Sequence, residues 1–410
     1  MTSSLDSDNK TRSSFFSFVF FVFLFSVLLC LSINKPKADE IRGVWIATVK
    51  NSNWPKTSGE LEQKQELIKD LDLIKSLGIN RVYFQIRPRC DALYVSEFWP
   101  WSKYLTGELG KDPKYDPLLF MREECKKRDI VLEAWINPFL LINEKGDVDA
   151  SFSIDEYIEK LPEKNLLKYH KEWIVKYGNT YFLNPGEPSV IKIITNEVEY
   201  LVKRYNTPIH MDDYFYPYPQ INAEDTYDKN EYELYGKGRE LSDFRRENIN
   251  EFLKKTYMII KKIDKNNTLS VSPFAIWKNG IKEGGAGTGG LESYYTIYCD
   301  TLLWVTRNYV DYIIPQIYWH IDFEKADYKK LAKWWNTAVQ GTNVKLLIGQ
   351  AGYRFDENSP FDSFKNCKEL VEQIKLNRKL KNVCGQVIFS LNCLEKNKVG
   401  ISDTLKSIYA

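Results

Sequence analysis

The chain has 410 residues, 43% of them hydrophobic, which is ample for one large barrel or two ordinary domains and excludes a small stapled scaffold. Lys plus Arg (57) nearly cancels Asp plus Glu (55), and the resulting charge of +2 argues against an electrostatic nucleic-acid surface. Aromatic residues reach 14%, with 26 Tyr, 22 Phe and 11 Trp; faces not used in packing stack well on sugar rings, so a carbohydrate is the simplest ligand class.

At the N-terminus, Lys10 and Arg12 precede a charge-free apolar run at 15–33, followed by Lys35, Pro36 and Lys37, the pattern of an export signal. The run sits at the lower edge of the roughly 17–25 residues that span a bilayer, so it also serves as an uncleaved anchor. Cys30 near its end offers a lipoprotein acylation site, although Val27, Leu28 and Leu29 stand where that pattern places a small residue. Residues 1–39 are therefore read as an export signal or membrane or lipid anchor, and 40–410 as the catalytic domain, exposed at the periplasmic or extracellular face of the envelope.

From residue 40 onward one theme repeats, a short β-branched run followed by a helical segment, which predicts a parallel sheet. Strands are expected at 42–49, 81–87, 130–137, 209–213, 269–273, 312–318, 346–350 and 386–390. Eight such units predict an α/β fold, a (β/α)8 TIM barrel, with long insertions after strands two (88–115) and three (138–187). Trp99, Trp101, Tyr104 and Trp173 in these insertions are expected to wall a cleft. Asp116-Pro117 and Glu187-Pro188 read as N-cap and N1 pairs. The glycine-rich stretch 284–290 reads as a mobile flap, because no Gly-Lys-Ser/Thr follows to make it a phosphate cradle.

In such a barrel the site lies where the strands end. Alternation sends the apolar Ile209 and Met211 to the helix side and turns His210, Asp212 and Tyr214 inward. By the same test Gln316 and Tyr318 reach the mouth from strand six, Glu133, Trp135 and Asn137 face inward on strand three, and Tyr83, Gln85 and Arg87 on strand two. Glycoside hydrolysis needs a carboxylate pair, and Asp212 with Asp213 is the candidate, two neighbouring acids pushing one pKa upward. Asp213 also fits a capping role, and Glu133 that of a buried acid paired with Arg42 or Arg87. With only His170, His210 and His320 and no Cys-x-x-Cys pair, neither a metal site nor any cofactor is expected. His210 supports Asp212 or satisfies a buried network.

Several motifs occur in order: Ile41-Arg-Gly-Val-Trp-Ile-Ala-Thr, Gln85-Ile-Arg-Pro with Asp91-Ala-Leu-Tyr and Pro100-Trp-Ser, Ala134-Trp-Ile-Asn-Pro, Asn184-Pro-Gly, Asp212-Asp-Tyr-Phe-Tyr-Pro, Phe244-Arg-Arg-Glu-Asn, Ser272-Pro-Phe-Ala-Ile-Trp and Pro315-Gln-Ile-Tyr-Trp. Over about residues 40–355 they resemble the glycosyl-hydrolase-like 10 family. The resemblance implies a TIM barrel, an exported bacterial protein often held as a lipoprotein, and glycosidase activity, in some relatives on cell-wall glycan. It places Asp212 and Asp213 at the centre, with Arg87, Asp91, Asn137, Trp277, Gln316 and Tyr318 around them. Trp101 and Trp319 within these motifs, with His210 and Tyr214, complete the substrate-contact candidates. Two departures stand out. Asn206-Thr-Pro leads into strand four where the family has Asp-Gly, and strand seven ends in Gln350 rather than a glutamate nucleophile. The arrangement is similar to chitinase-type barrels, in which Gln316 and Tyr318 would hold an acetamido group and Asp212 orient it. Tyr214 then occupies the place of the usual acid, leaving Asp213 or a loop acid as donor. The expected substrate is a polysaccharide containing N-acetylhexosamine, such as peptidoglycan; the alternative is a barrel that only binds glycan.

Overall fold

The computed structural model describes residues 38–144, 153–163, 165–221, 223 and 225–409. The apolar run at 15–33 lies outside them. Twelve strands follow in chain order: β1 (Ile41–Ile46), β2 (Arg81–Arg87), β3 (Val131–Ile136), β4 (Leu140–Asn143), β5 (Ile174–Tyr177), β6 (Thr180–Leu183), β7 (Ile209–Met211), β8 (Leu269–Val271), β9 (Tyr312–Ile313), β10 (Gln316–Ile317), β11 (Lys345–Gln350) and β12 (Val383–Ile388). Parallel pairing runs β1-β2-β3-β7-β8-β9, continues from β9 and β10 to β11, and closes through β12 onto β1. This is the expected eight-stranded barrel. Its sixth strand is split into β9 and β10 around Ile314-Pro315, since proline has no N–H to give the ladder.

Alternation divides the apolar residues into two cores. Val44, Val82, Phe84, Leu132, Ile209, Met211, Val271, Ile313 and Ile348 face the helices. Trp45, Tyr83, Trp135, Tyr312, Leu347 and Val387 fill the barrel interior. Gly349 faces this interior as well; a Cβ there would meet the Pro315 carbonyl at 3.0 Å and the Trp45 ring at 3.2 Å, so the glycine leaves room for both the neighbouring strand and the indole. Both N-cap pairs form: Asp116 accepts from the Leu119 amide at 3.1 Å and Glu187 from that of Ser189 at 2.9 Å.

The insertion after β3 builds its own antiparallel sheet, β4-β6-β5, beside the mouth. Its tryptophan does not wall a cleft, because Trp173 is buried and stacked on His170. The glycine-rich stretch is not an open flap. Turns pin it, with the Trp334 indole donating to the Gly284 carbonyl at 2.8 Å and the Gly289 amide to that of Lys325 at 2.7 Å.

One helix carries an unusual acid. Asp70, on the inner face of Glu60–Ser76, is pushed up to about 7 by burial first, then by the charges of Glu395 and Glu66. The folded state thus binds a proton that the unfolded chain releases near pH 4, so this group's contribution is fully present below pH 4 and is lost as pH rises towards 7. Asp70→Asn is expected to stabilise the protein by about 1–3 kcal/mol at pH 7.5 and by nothing measurable at pH 4, read from urea midpoints at the two pH values.

Candidate active site

The site rests on a buried polar floor. Strand register sets Gln85, Trp135, His210 and Ser270 side by side across β2, β3, β7 and β8. The Trp45 indole N–H can only donate, and it points at Nε2 of His210 at 3.0 Å; that nitrogen therefore accepts, and the proton is on Nδ1, which gives it to Ser270 Oγ at 2.7 Å. Ser270 in turn donates to Glu133. The partner of Glu133 is Arg81, 2.7 Å away, rather than Arg42 or Arg87. Burial drives the His210 pKa down to about 3, so the imidazole is neutral under ordinary conditions. It lies beneath the cleft and lines none of it.

Above this floor the β7 ladder stops at Met211, and the two acids lie just past it. Oδ1 of Asp212 accepts from the Asp213 amide at 2.9 Å and from Gln316 Nε2 at 3.0 Å, and the second Gln316 hydrogen goes to the Ser272 carbonyl at 2.8 Å. With both amide donors on Oδ1, a proton on Asp212 belongs to Oδ2. Burial, then the adjacent charge of Asp213 and the hydrogen bond between the two carboxyls, hold Asp212 well above the usual carboxylate range. Burial also raises Asp213, but hydrogen bonds from Tyr218 and Asp212 favour its ionised form. The pair therefore keeps one proton, carried by Asp212.

Asp212 opens into a two-limbed cleft. A narrow limb of about 180 Å³ is lined by Trp45, Trp135, Ser272, Gln316 and Tyr318. The broad limb, about 760 Å³, runs past Asn137, Arg89, Tyr216, Tyr218 and Gln220. Trp135, Asp212, Tyr214, Tyr353 and Phe389 line both limbs, so they meet at the acid. Among the described residues lining either limb, Asp212 is the one carboxyl and Arg89 the one cation. A groove of aromatic faces and neutral hydrogen-bonding groups suits a carbohydrate.

The structure brings Asn137, Asp212, Tyr214, Gln316 and Tyr318 together at this cleft, with Asp213 and His210 directly beneath. Five candidates lie elsewhere. A register shift between Gln85 and Arg87 reverses the alternation at the end of β2, so Arg87 turns away from the axis, against Glu197 at 3.2 Å and over the Trp99 ring. Asp91 follows this turn. It is buried, accepts from Ser102 Oγ at 2.5 Å and lines a separate 280 Å³ pocket with Tyr104 behind the β4 sheet. Trp101 pairs with Ala92 and packs on the core; Trp277 stacks on Trp334 and donates to Asp300 at 3.1 Å; Trp319 packs on Phe274. Several cleft residues escaped the sequence, among them Tyr353, Phe389 and Tyr218. Tyr353 and Phe389 follow β11 and β12, where aromatics at strand ends were the available signal. Tyr218 reaches Asp213 because the 214–220 loop folds back, which no spacing encodes.

The model of a family described as glycosyl hydrolase-like 10 matches residues 40–364. The chain is 41% identical over 382 residues to glycosyl hydrolase YngK of Bacillus subtilis (strain 168), covering 91% of this chain and 72% of that protein. It is 35% identical over 380 residues to glycosyl hydrolase DigH of Escherichia coli (strain K12), covering 88% and 84%. In fold it is similar to the PgaB (BpsB) glycoside hydrolase domain of Bordetella bronchiseptica, with a TM-score of 0.57 at 12% identity over 90% of this chain and 98% of that one. Joined to the barrel and its acid-centred cleft, these matches show that the chain belongs to the glycosyl hydrolase-like 10 family.

Proposed function

We propose that this protein is a glycosidase that cleaves glycan containing N-acetylhexosamine, such as peptidoglycan strands, with Asp212 giving the proton to the leaving oxygen. The observation that carries this reading is the buried Asp212–Asp213 pair, with Asp212 held by the Asp213 amide and Gln316 at the junction of two sugar-sized limbs. Classical glycosidases set their two carboxyls roughly 5–5.5 or 6.5–9.5 Å apart across the scissile bond. Asp212 and Asp213 are hydrogen-bonded neighbours and do not flank a bond in that way. The nucleophile is then the substrate's own acetamido oxygen, seated in the narrow limb against Gln316 and Tyr318. Residues 15–33 hold the barrel at the outer face of the membrane, as a peptide span or through acylation at Cys30.

A glycan panel tests this. Chitin oligosaccharides and peptidoglycan strands stripped of peptides are expected to be cut, and their de-N-acetylated forms to be cut at least about a hundredfold more slowly, because the intramolecular nucleophile is gone. Equal rates on both forms would remove the acetamido group from the mechanism. Retention of several glycans with no cleavage would make the barrel a binding protein.

A further inference from the structure

We propose that Tyr218 is the positioning residue of the acid pair: by donating its phenol hydrogen to Oδ2 of Asp213, it keeps Asp213 ionised and so leaves the shared proton on Asp212. The inference rests on the glycosidase reading for its consequence, though its geometry stands alone. Asp213 is 4% exposed and lines neither limb, so water does not solvate its charge from the cleft. Among the described residues no cation forms an ion pair with it. Among the described residues, the titratable and polar groups that interact with it include Asp212, Tyr214, Tyr218, Cys299, Gln316 and Tyr318. The Cys299 thiol, from the helix side, is itself raised by burial and stays neutral. Gln316 directs its amide hydrogens to Asp212 and the Ser272 carbonyl, and it favours the ionised form of Asp213 less than Tyr218 does. Of the side chains that favour the ionised form of Asp213, Tyr218 has the largest effect, ahead of Asp212 and Gln316. A buried carboxylate with one hydroxyl donor is stabilised relative to its acid, and losing that donor favours protonation.

Tyr218 also has a reason to sit where it does. Its ring packs edge-on to Tyr214 and Phe274, at 5.9 and 6.4 Å between centroids, while its edge lines the broad limb. The loop that shapes the substrate groove therefore also sets the charge state of the acid beneath it. Replacing the phenol by phenyl keeps the packing and removes only the hydrogen bond.

The test is a carboxyl ¹³C NMR titration of aspartate-labelled wild type and Tyr218→Phe in the full protein without glycan. The first proton lost from the pair is expected to leave about one pH unit higher in the variant, a tenfold change, and the acid limb of kcat/KM to move with it. Superimposable titrations would overturn the inference. Should the variant fold poorly, the ring carbon bearing the Tyr218 hydroxyl in the wild type reads the same contact: its shift must follow the pair's titration, and a flat response overturns the proposal. A moved titration in a protein that cuts no glycan would sink the glycosidase reading and leave the role of Tyr218 standing.

Discussion

Asp212→Asn is expected to abolish glycan cleavage, lowering kcat by about a thousandfold, or ~4 kcal/mol, while leaving the thermal midpoint at or above that of the wild type. Asparagine retains the shape of the side chain and can still accept from the Asp213 amide and Gln316 through its oxygen, so the cleft keeps its form. What disappears is the transferable proton. No other carboxyl among the described residues lines the cleft to replace it. The neighbouring Asp213→Asn should behave differently. It removes the charge that helps hold Asp212 upward, so Asp212 loses its proton at lower pH, and because the acid must be protonated to act, the alkaline limb of the rate profile moves down. Glycan binding by both variants, followed by fluorescence of the cleft tryptophans, should stay within a few-fold of the wild type. A loss of binding equal to the loss of rate would contradict the assignment.

Arg87→Met is expected to destabilise the fold by about 3–5 kcal/mol without a specific effect on glycan affinity. The Arg87 guanidinium is fully buried, donates to the carbonyls of Asn137 and Pro138 at 2.5 and 2.9 Å, and lies 3.2 Å from Glu197, itself 0% exposed. Removing the cation strands a buried carboxyl whose remaining close donor is the Tyr94 hydroxyl at 2.6 Å. The double variant Arg87→Met, Glu197→Gln should recover most of the loss, which calorimetry or urea unfolding measures. A stable Arg87→Met protein with weakened glycan binding would return this residue to the substrate.

That contrast shows what the sequence carries and where it stops. Period-two alternation assigned His210, Asp212, Gln316 and Tyr318 to the barrel axis correctly, since apolar Ile209, Met211, Ile313 and Ile317 mark the helix side and the pleat does the rest. The same rule misplaced Arg87, because one extra residue between Gln85 and Arg87 shifts the register and flips every side chain after it. Nothing in Gln85-Ile-Arg-Pro announces that shift. Asp91 went astray with it, and the second pocket behind β4 holds it instead. Aromatic richness pointed to sugar but not to which rings: Trp99 and Trp173 are spent on packing, whereas Tyr353, about half exposed, and Phe389 come from the last two strands. The hydrogen bond from Tyr218 depends on a loop turning back over five residues, a tertiary event without a local signature.

The most direct test of the central claim is reducing-end release from peptide-free peptidoglycan strands by the wild type and by Asp212→Asn at equal concentration. New reducing ends from the wild type, and a rate at least about a hundredfold lower from the variant, is the predicted result. Equal release by the two proteins would contradict the role of Asp212 as the proton donor.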